Sequence, residues 1–397
     1  MNNFKLYLPT RLIFGKGEHK NIGKLMAPFA KKALIVFGSD RIKRNGVFAE
    51  VTASLAEYGI DYCEIGGVQP NPRVSLVYRG IELAKREGAD AVLAVGGGSV
   101  IDSAKGIAAG VRYDGDIWEA YDLTTKGSKR IKDALPIAAI LTIPAAGSEM
   151  SWNSVLSNEE KQTKYGTASD AIRPRVSIVN PEFFFTLPKN QIANGTADMM
   201  SHIFERYFTP TKHTDLTDAL AEATLAAIMK NAAILMEHPE NYDAWAEVAF
   251  SGTVAHNDIL GVGRVQDWAC HEMEHEISAI YDIPHGAGLA ILTPNWMKYI
   301  YAEDRDMFLQ FAVKVMGVSG GFRTKDDVIL EGIARLRGFF NRLGLPAALA
   351  DVGVDGSRIE EMGMKMTGAA FGLAETPIGG IKKIYAKDAY EIYKMSL

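Results

Sequence analysis

The stretch CHEMEHEISAIYDIPHG, residues 270–286, holds three of the chain's eight histidines. His271 and His275 are four residues apart, so on a helix their rings share one face a turn apart. His285 follows a Tyr-Asp-Ile-Pro turn able to fold it back toward them. A second pair at the same spacing, Asp198 and His202, lies in TADMMSHIFERYF, a strongly helical pattern that offers one carboxylate oxygen and one imidazole. Together these side chains supply enough donors for a four-coordinate divalent ion, and the chemistry of such an ion is Lewis-acid activation of a substrate oxygen. Cys270, adjacent to His271, points about 100° away around an ideal helix and reads as a small buried hydrophobe. His19, His213, His238 and His256 have no partner at ligand spacing and receive no role.

A different chemistry is written in ADAVLAVGGGSVIDSAK, residues 89–105. An apolar strand runs into Gly96-Gly97-Gly98-Ser99, and a helix opens at Val100-Ile101-Asp102. Glycines let a backbone approach a ligand closely, and the free N–H groups of a helix start attract a pyrophosphate. The pattern is not GxGxxG, but the physics of a phosphate cradle is the same. Asp102 is an odd neighbour for phosphate and better suited to capping the helix or bonding a nicotinamide carboxamide or ribose. In a doubly wound sheet the end of the first strand, here FGSDRIKR (37–44), reads the adenosine ribose. Ser39 with Arg41 and Lys43 favours a 2′-phosphate there, and Asp40 opposes it.

The elements that must position these residues divide into two kinds. Up to RVSIVNP, strand-like apolar runs (the opening LYLPTRLIFG, then ALIVF, DYCEI, AVLAVGGGS and LPIAAILTIP) alternate with helical patterns near 47–58 and 74–87, which implies βαβ units and a parallel sheet. Beyond Thr186 helical periodicity dominates: 191–208, 216–237, 242–256, the histidine segment, 306–316, 325–342 and 357–367. The expected organisation is an α/β dinucleotide-binding domain over 1–185 and an all-helical metal and substrate domain over 186–397. The 397 residues are 47% hydrophobic with a net charge of −5 and no long basic run, which argues against a nucleic-acid surface. No apolar run of membrane-spanning length is expected, and two cysteines suit a reducing cytoplasm.

As a set, GGGSVIDSAK, LTIPAAGSE, the Asp198/His202 pair and His271, His275 and His285-Gly286, in this order and spacing, resemble the iron-containing (group III) alcohol dehydrogenase family along essentially the whole chain. QDWACH resembles the signature of its butanol dehydrogenase-like, NADP-preferring branch. The resemblance implies an enzyme that moves hydride between nicotinamide C4 and short- to medium-chain alcohols or aldehydes, assembled at least as a homodimer. It implies one divalent metal, Fe2+ or Zn2+, held by Asp198, His202, His271 and His285, with catalytic His275 beside the nicotinamide and not on the ion. It implies cofactor contacts from Gly38, Ser39, Asn71, Gly97, Gly98, Ser99, Asp102, Thr142, Lys164 and Phe183, to which the charge of Arg41 adds. Ser39 stands where NAD-specific members carry Asp, so NADP(H) is expected over NAD(H). Ala146 departs from the threonine of many relatives. Met150, Trp152, Val262 and Trp268 suit an unbranched aliphatic substrate. Two other readings keep the scaffold: a polyol dehydrogenase or phospho-substrate lyase of dehydroquinate synthase-like type, and a nucleotide- and metal-binding sensor without turnover.

Overall fold

The computed structural model describes residues 1–122, 129–321 and 323–397. Two compact units make up the chain: Tyr7–Thr186, and Leu187–Leu397 together with Met1–Leu6.

The first unit contains strands β1 (Arg11–Phe14), β2 (Lys32–Phe37), β3 (Asp61–Ile65), β4 (Ala91–Gly97), β5 (Ile137–Ile143), β6 (Asn153–Asn158), β7 (Thr163–Ala168) and β8 (Val176–Val179). Six of them form a sheet in the order β1-β8-β5-β4-β2-β3, every pair parallel. The central strands read as near-continuous apolar runs because both faces of a parallel sheet are covered. Its helices are α1 (Ile22–Met26), α2 (Arg41–Arg44), α3 (Val47–Glu57), α4 (Val74–Glu87) and α5 (Gly98–Arg112). Ile22, Val51 and Leu55 from α1 and α3 share one core with Ile35, Leu93 and Ile140 of the sheet. β6 and β7 form a separate antiparallel hairpin. The decisive point for function is β2, which has β3 on one side and β4 on the other. Sheet growth reverses there, and a doubly wound sheet takes its ligand at the carboxyl ends of the strands flanking that reversal.

The second unit contains α6 (Lys189–Tyr207), α7 (Asp215–Glu237), α8 (Tyr242–His256), α9 (Ala269–Tyr281), α10 (His285–Ile300), α11 (Arg305–Lys314), α12 (Lys325–Arg342), α13 (Ile359–Met366) and α14 (Ala386–Met395). Among its described residues there is no strand, only an isolated bridge between Ile378 and Ile384. Helices α10 and α14 lie outside the sequence expectation. α10 is buried along most of its length and carries Pro294, so its sequence offers neither a polar face nor an uninterrupted helix former. The expectation about membrane-spanning runs needs correction: α7 is long and apolar enough to cross a membrane by length and composition. It packs along α6 and α8, with 33% of its apolar stretch buried. The opening segment also differs. Pro9 interrupts the apolar run, β1 begins only at Arg11, and Met1 and Asn2 bond to Lys212 O and Gly263 O of the helical unit.

Candidate functional site

Asp198 and His202 lie one turn apart on α6, with Glu205 and Arg206 a turn further, all four buried. His271, Glu274 and His275 are buried on α9, and His285 opens α10 behind Pro284. The approach of α10 to α6 depends on Gly286. A Cβ there would stand 2.1 Å from Asn194 O, so a side chain beside His285 would force the two helices apart. With glycine in place, Asp198 Oδ1 lies 3.2 Å from His202 Nδ1, 3.9 Å from His271 Nε2 and 3.9 Å from His285 Nε2. A four-coordinate ion with bonds of about 2.1 Å holds its donors about 3.4 Å apart, which is the scale of this cluster. Asp198 Oδ1, His202 Nδ1 and His271 Nε2 are cut off from solvent. Burial, then the neighbouring His256, His271, Arg206 and His285, pull the His202 imidazole well below its usual value, so it is a neutral donor at neutral pH. A divalent cation fits this donor set.

Two functional carboxylates escaped the sequence reasoning. His271 Nδ1 donates to Glu205 Oε1 at 2.9 Å, and the His271 backbone N–H donates to the same oxygen at 3.0 Å. His285 Nδ1 pairs with Glu274 Oε2. Each carboxylate fixes its imidazole with Nε2 toward Asp198, the arrangement by which a neighbouring carboxylate orients a metal-ligating histidine. Burial pushes the Glu205 carboxyl up to about 7, against the backbone N–H groups of His271, Trp268 and Cys270 that favour its charged form. The signal was available: Glu205 is seven residues after Asp198, and Glu274 three after His271, each on the face of its helix that carries a ligand candidate. His275 stands beside His285, ring centroids 5.7 Å apart, with its Nδ1 4.0 Å from Glu272 Oε2.

In the first unit, Gly38 and Ser39 follow β2, Gly97 ends β4, Gly98 and Ser99 open α5, and Thr142 lies near the end of β5. These are the carboxyl ends of adjacent strands, with the β2/β4 pair at the reversal of the sheet. A Cβ at Gly98 would stand 2.9 Å from Ala146 Cβ, so the small residue at 146 is what the turn packs on. Of the uses expected of Asp102, capping does not occur: α5 has no side-chain cap, and the carboxylate accepts from Ser148 Oγ at 2.5 Å and Val155 N at 2.9 Å. One turn on, the Lys105 ammonium donates to Ser148 O, Ser151 O and Asn153 O at 2.7–3.0 Å. Asn71, with a positive φ of 51°, accepts from Lys164 Nζ at 3.0 Å, both side chains buried. Phe183 meets the edge of His19 at 4.7 Å. Ser39 is exposed, but the cations expected beside it have protein partners: Arg41 donates to Thr186 O at 2.7 Å, and Lys43 pairs with Glu64. Of the apolar candidates, Met150 is buried and Trp152 lies 5.6 Å from the Arg173 guanidinium, whereas Trp268 meets the His271 ring at 5.2 Å.

Residues 9–181 match the family model for iron-containing alcohol dehydrogenase, and residues 192–396 match the model for the C-terminal part of the Fe-containing alcohol dehydrogenase family. The chain belongs to the iron-containing alcohol dehydrogenase family. Within the family, NADH-dependent butanol dehydrogenase A of Clostridium acetobutylicum is 43% identical, with 100% of both chains covered. NADPH-dependent aldehyde reductase YqhD of Escherichia coli is 35% identical over 93% of this chain and 95% of its own. The crystal structure of NADH-dependent butanol dehydrogenase A from Thermotoga maritima matches with a TM-score of 0.93 at 41% identity, covering 100% of this chain and 99% of that one.

Proposed function

We propose that this family member reduces short- to medium-chain aldehydes, and oxidises the corresponding alcohols, with NAD(P)(H) and one divalent ion, Fe2+ or Zn2+, held by Asp198, His202, His271 and His285. The observation that carries the reading is the convergence of three imidazole nitrogens, those of His202 and His271 buried and that of His285 half-buried, on Asp198 Oδ1 within 3.9 Å. When bound, the ion supplies Lewis acidity to the alcohol or carbonyl oxygen, and the nicotinamide exchanges the hydride. The chain's own residues do the rest. Glu205 and Glu274 hold two imidazoles in one tautomer, burial keeps water from the donors, and His275 takes up the alcohol proton or returns it to the product oxygen. Gly38, Ser39, Asn71, Gly97, Gly98, Ser99, Thr142, Lys164 and Phe183 bind the dinucleotide, and Asp102 shapes their support through Ser148.

Cofactor choice turns on the segment after β2. Ser39 brings no carboxylate against a 2′-phosphate, which favours NADPH, but Arg41 and Lys43 must exchange Thr186 and Glu64 for that phosphate. The exchange leaves a shallow preference for NADPH, about tenfold or less, because a charge-assisted bond replaces one already made. The relatives include NADH-dependent and NADPH-dependent enzymes alike. The enzyme acts in the cytoplasm without nucleic-acid partners, a reading supported by its two free cysteines and its charge balance, and the family resemblance implies a homodimer. The test is an aldehyde panel run with NADPH and with NADH on protein of known metal content. Turnover with aliphatic aldehydes is expected. Protein that binds metal and nucleotide yet oxidises neither cofactor with any aldehyde overturns the reading in favour of a sensor.

A further inference from the structure

A group of side chains with no part in the mechanism is buried directly behind the ligand cluster. Arg206, one turn after His202 on α6, is 1% exposed. Its guanidinium donates to His202 O at 2.8 Å and to His256 Nδ1 at 3.0 Å, and lies 4.7 Å from the centroid of the Trp268 ring. A buried guanidinium ordinarily bonds a carboxylate. Here its hydrogen-bond acceptors are a carbonyl and an imidazole nitrogen and its face lies on an indole, while the Asp258 and Glu205 carboxylates are near enough to favour its charged form. His256, the last residue of α8, presses its ring on that of His202, centroids 4.2 Å apart. Trp268 meets His271 edge-on at 5.2 Å and His202 at 6.0 Å, and its indole N–H donates to Gln266. The backbone of Trp268 is left-handed, φ 68°, where glycine would sit without strain, so the indole holds that position through its contacts.

The elements involved converge from separate parts of the helical unit. α6 brings His202 and Arg206, the end of α8 brings His256, and the start of α9 brings Trp268 and His271. Because His256 Nδ1 accepts from Arg206, a neutral His256 carries its proton on Nε2, and the ring is fixed in one orientation against His202. Glu205 and Glu274 orient His271 and His285 by hydrogen bonds, whereas His202 is gripped through its carbonyl and its ring face.

We propose that Arg206 is a positioning residue for the ion, acting through His256 and Trp268 to set the rings of His202 and His271 before the ion arrives. The inference rests on the ligand set proposed above. Its charge works against its bracing, since a guanidinium near a cation is repulsive, so the informative variants keep the charge and remove the grip. Arg206→Lys keeps the charge but loses the planar fork that reaches two acceptors while covering an indole. His256→Ala removes the acceptor, and His256→Asn restores one at the position of Nδ1.

The experiment reloads the stripped full-length protein with Co2+ and measures its affinity by chelator competition and its visible absorption band. Arg206→Lys and His256→Ala are expected to weaken Co2+ binding by about 10–100-fold, the usual loss for a group that orients a ligand, and to shift the band. His256→Asn, which restores the acceptor for Arg206 but not the ring against His202, should recover part of the lost affinity. Affinity and band unchanged in Arg206→Lys and His256→Ala overturn the proposal, as does an His256→Asn protein no better than His256→Ala. Should Arg206→Lys not fold, the two His256 variants decide. Wild-type protein that takes no Co2+, or an Asp198→Ala variant that takes it normally, shows instead that the ligand set is wrong.

Discussion

Around the glycine turn of the first unit, buried polar groups complete one another. Lys105 is bonded to three carbonyls, Asp102 to Ser148 and Val155, and Lys164 to Asn71. In the second unit, Asp198, His202, His271 and His285 aim electron pairs at one place, with Glu205 and Glu274 turning two of the rings so that they do. A network completed by protein donors is stable whatever is bound. A convergence of electron-pair donors gains further stability from a bound cation, so metal added to the protein is expected to stabilise the helical unit more than the nucleotide unit.

The largest effect should come from cutting the convergence. Asp198→Ala or His271→Ala leaves three donors, and bound metal should fall from about one per chain to near none while nucleotide binding persists. Elemental analysis beside a nucleotide titration checks this, and stoichiometric metal in both variants would break the comparison outright. His275→Ala separates chemistry from metal holding. It should keep the ion and lose about 10²–10⁴-fold in kcat, with one limb missing from the pH profile. Loss of the ion would make His275 a ligand, and unchanged turnover would leave it as packing.

The sealed network has its own signature. Burial pulls Lys105 down to about 8, so it remains largely protonated at pH 7. Lys105→Met strands its acceptors and should cost the first unit about 3–5 kcal/mol, the usual result of removing one partner from a buried charged network. Denaturant unfolding should show that loss while metal content stays at wild-type level. A drop in metal content would mean the two units are not independent in this respect. The smallest effect is at the surface: Ser39→Asp should move the NADPH/NADH ratio of kcat/KM toward NADH by about tenfold, a single repulsive charge against a 2′-phosphate. An unmoved ratio would point to Asp40, whose side chain is already exposed there.

Local pattern was enough to name the candidate donors. Spacing of four puts Asp198 with His202 on one helix face, and a strand, three glycines and a helix start mark the turn at 96–99; both are properties of a few consecutive residues. The parallel sheet followed from apolar runs alternating with helical periods, because burial on both faces leaves that imprint on composition. Helix α10 left no such imprint, since a segment buried nearly all round has no periodic contrast to read.

Tertiary structure decided which groups meet. The sequence offered five candidate donors; packing of α10 on α6 at Gly286 and Asn194 selects His285 Nε2 for the neighbourhood of Asp198 and sets His275 beside His285. It also gave Asp102 bonds to Ser148 and Val155 in place of a capping role, and brought Glu205, Glu274 and Arg206 behind the candidate donors. Periodicity reports the face on which a residue lies, an intrahelical property. Which faces meet, and which nitrogen of each ring is left pointing inward, depends on close contacts between elements distant in the chain, and those are fixed only when the core packs.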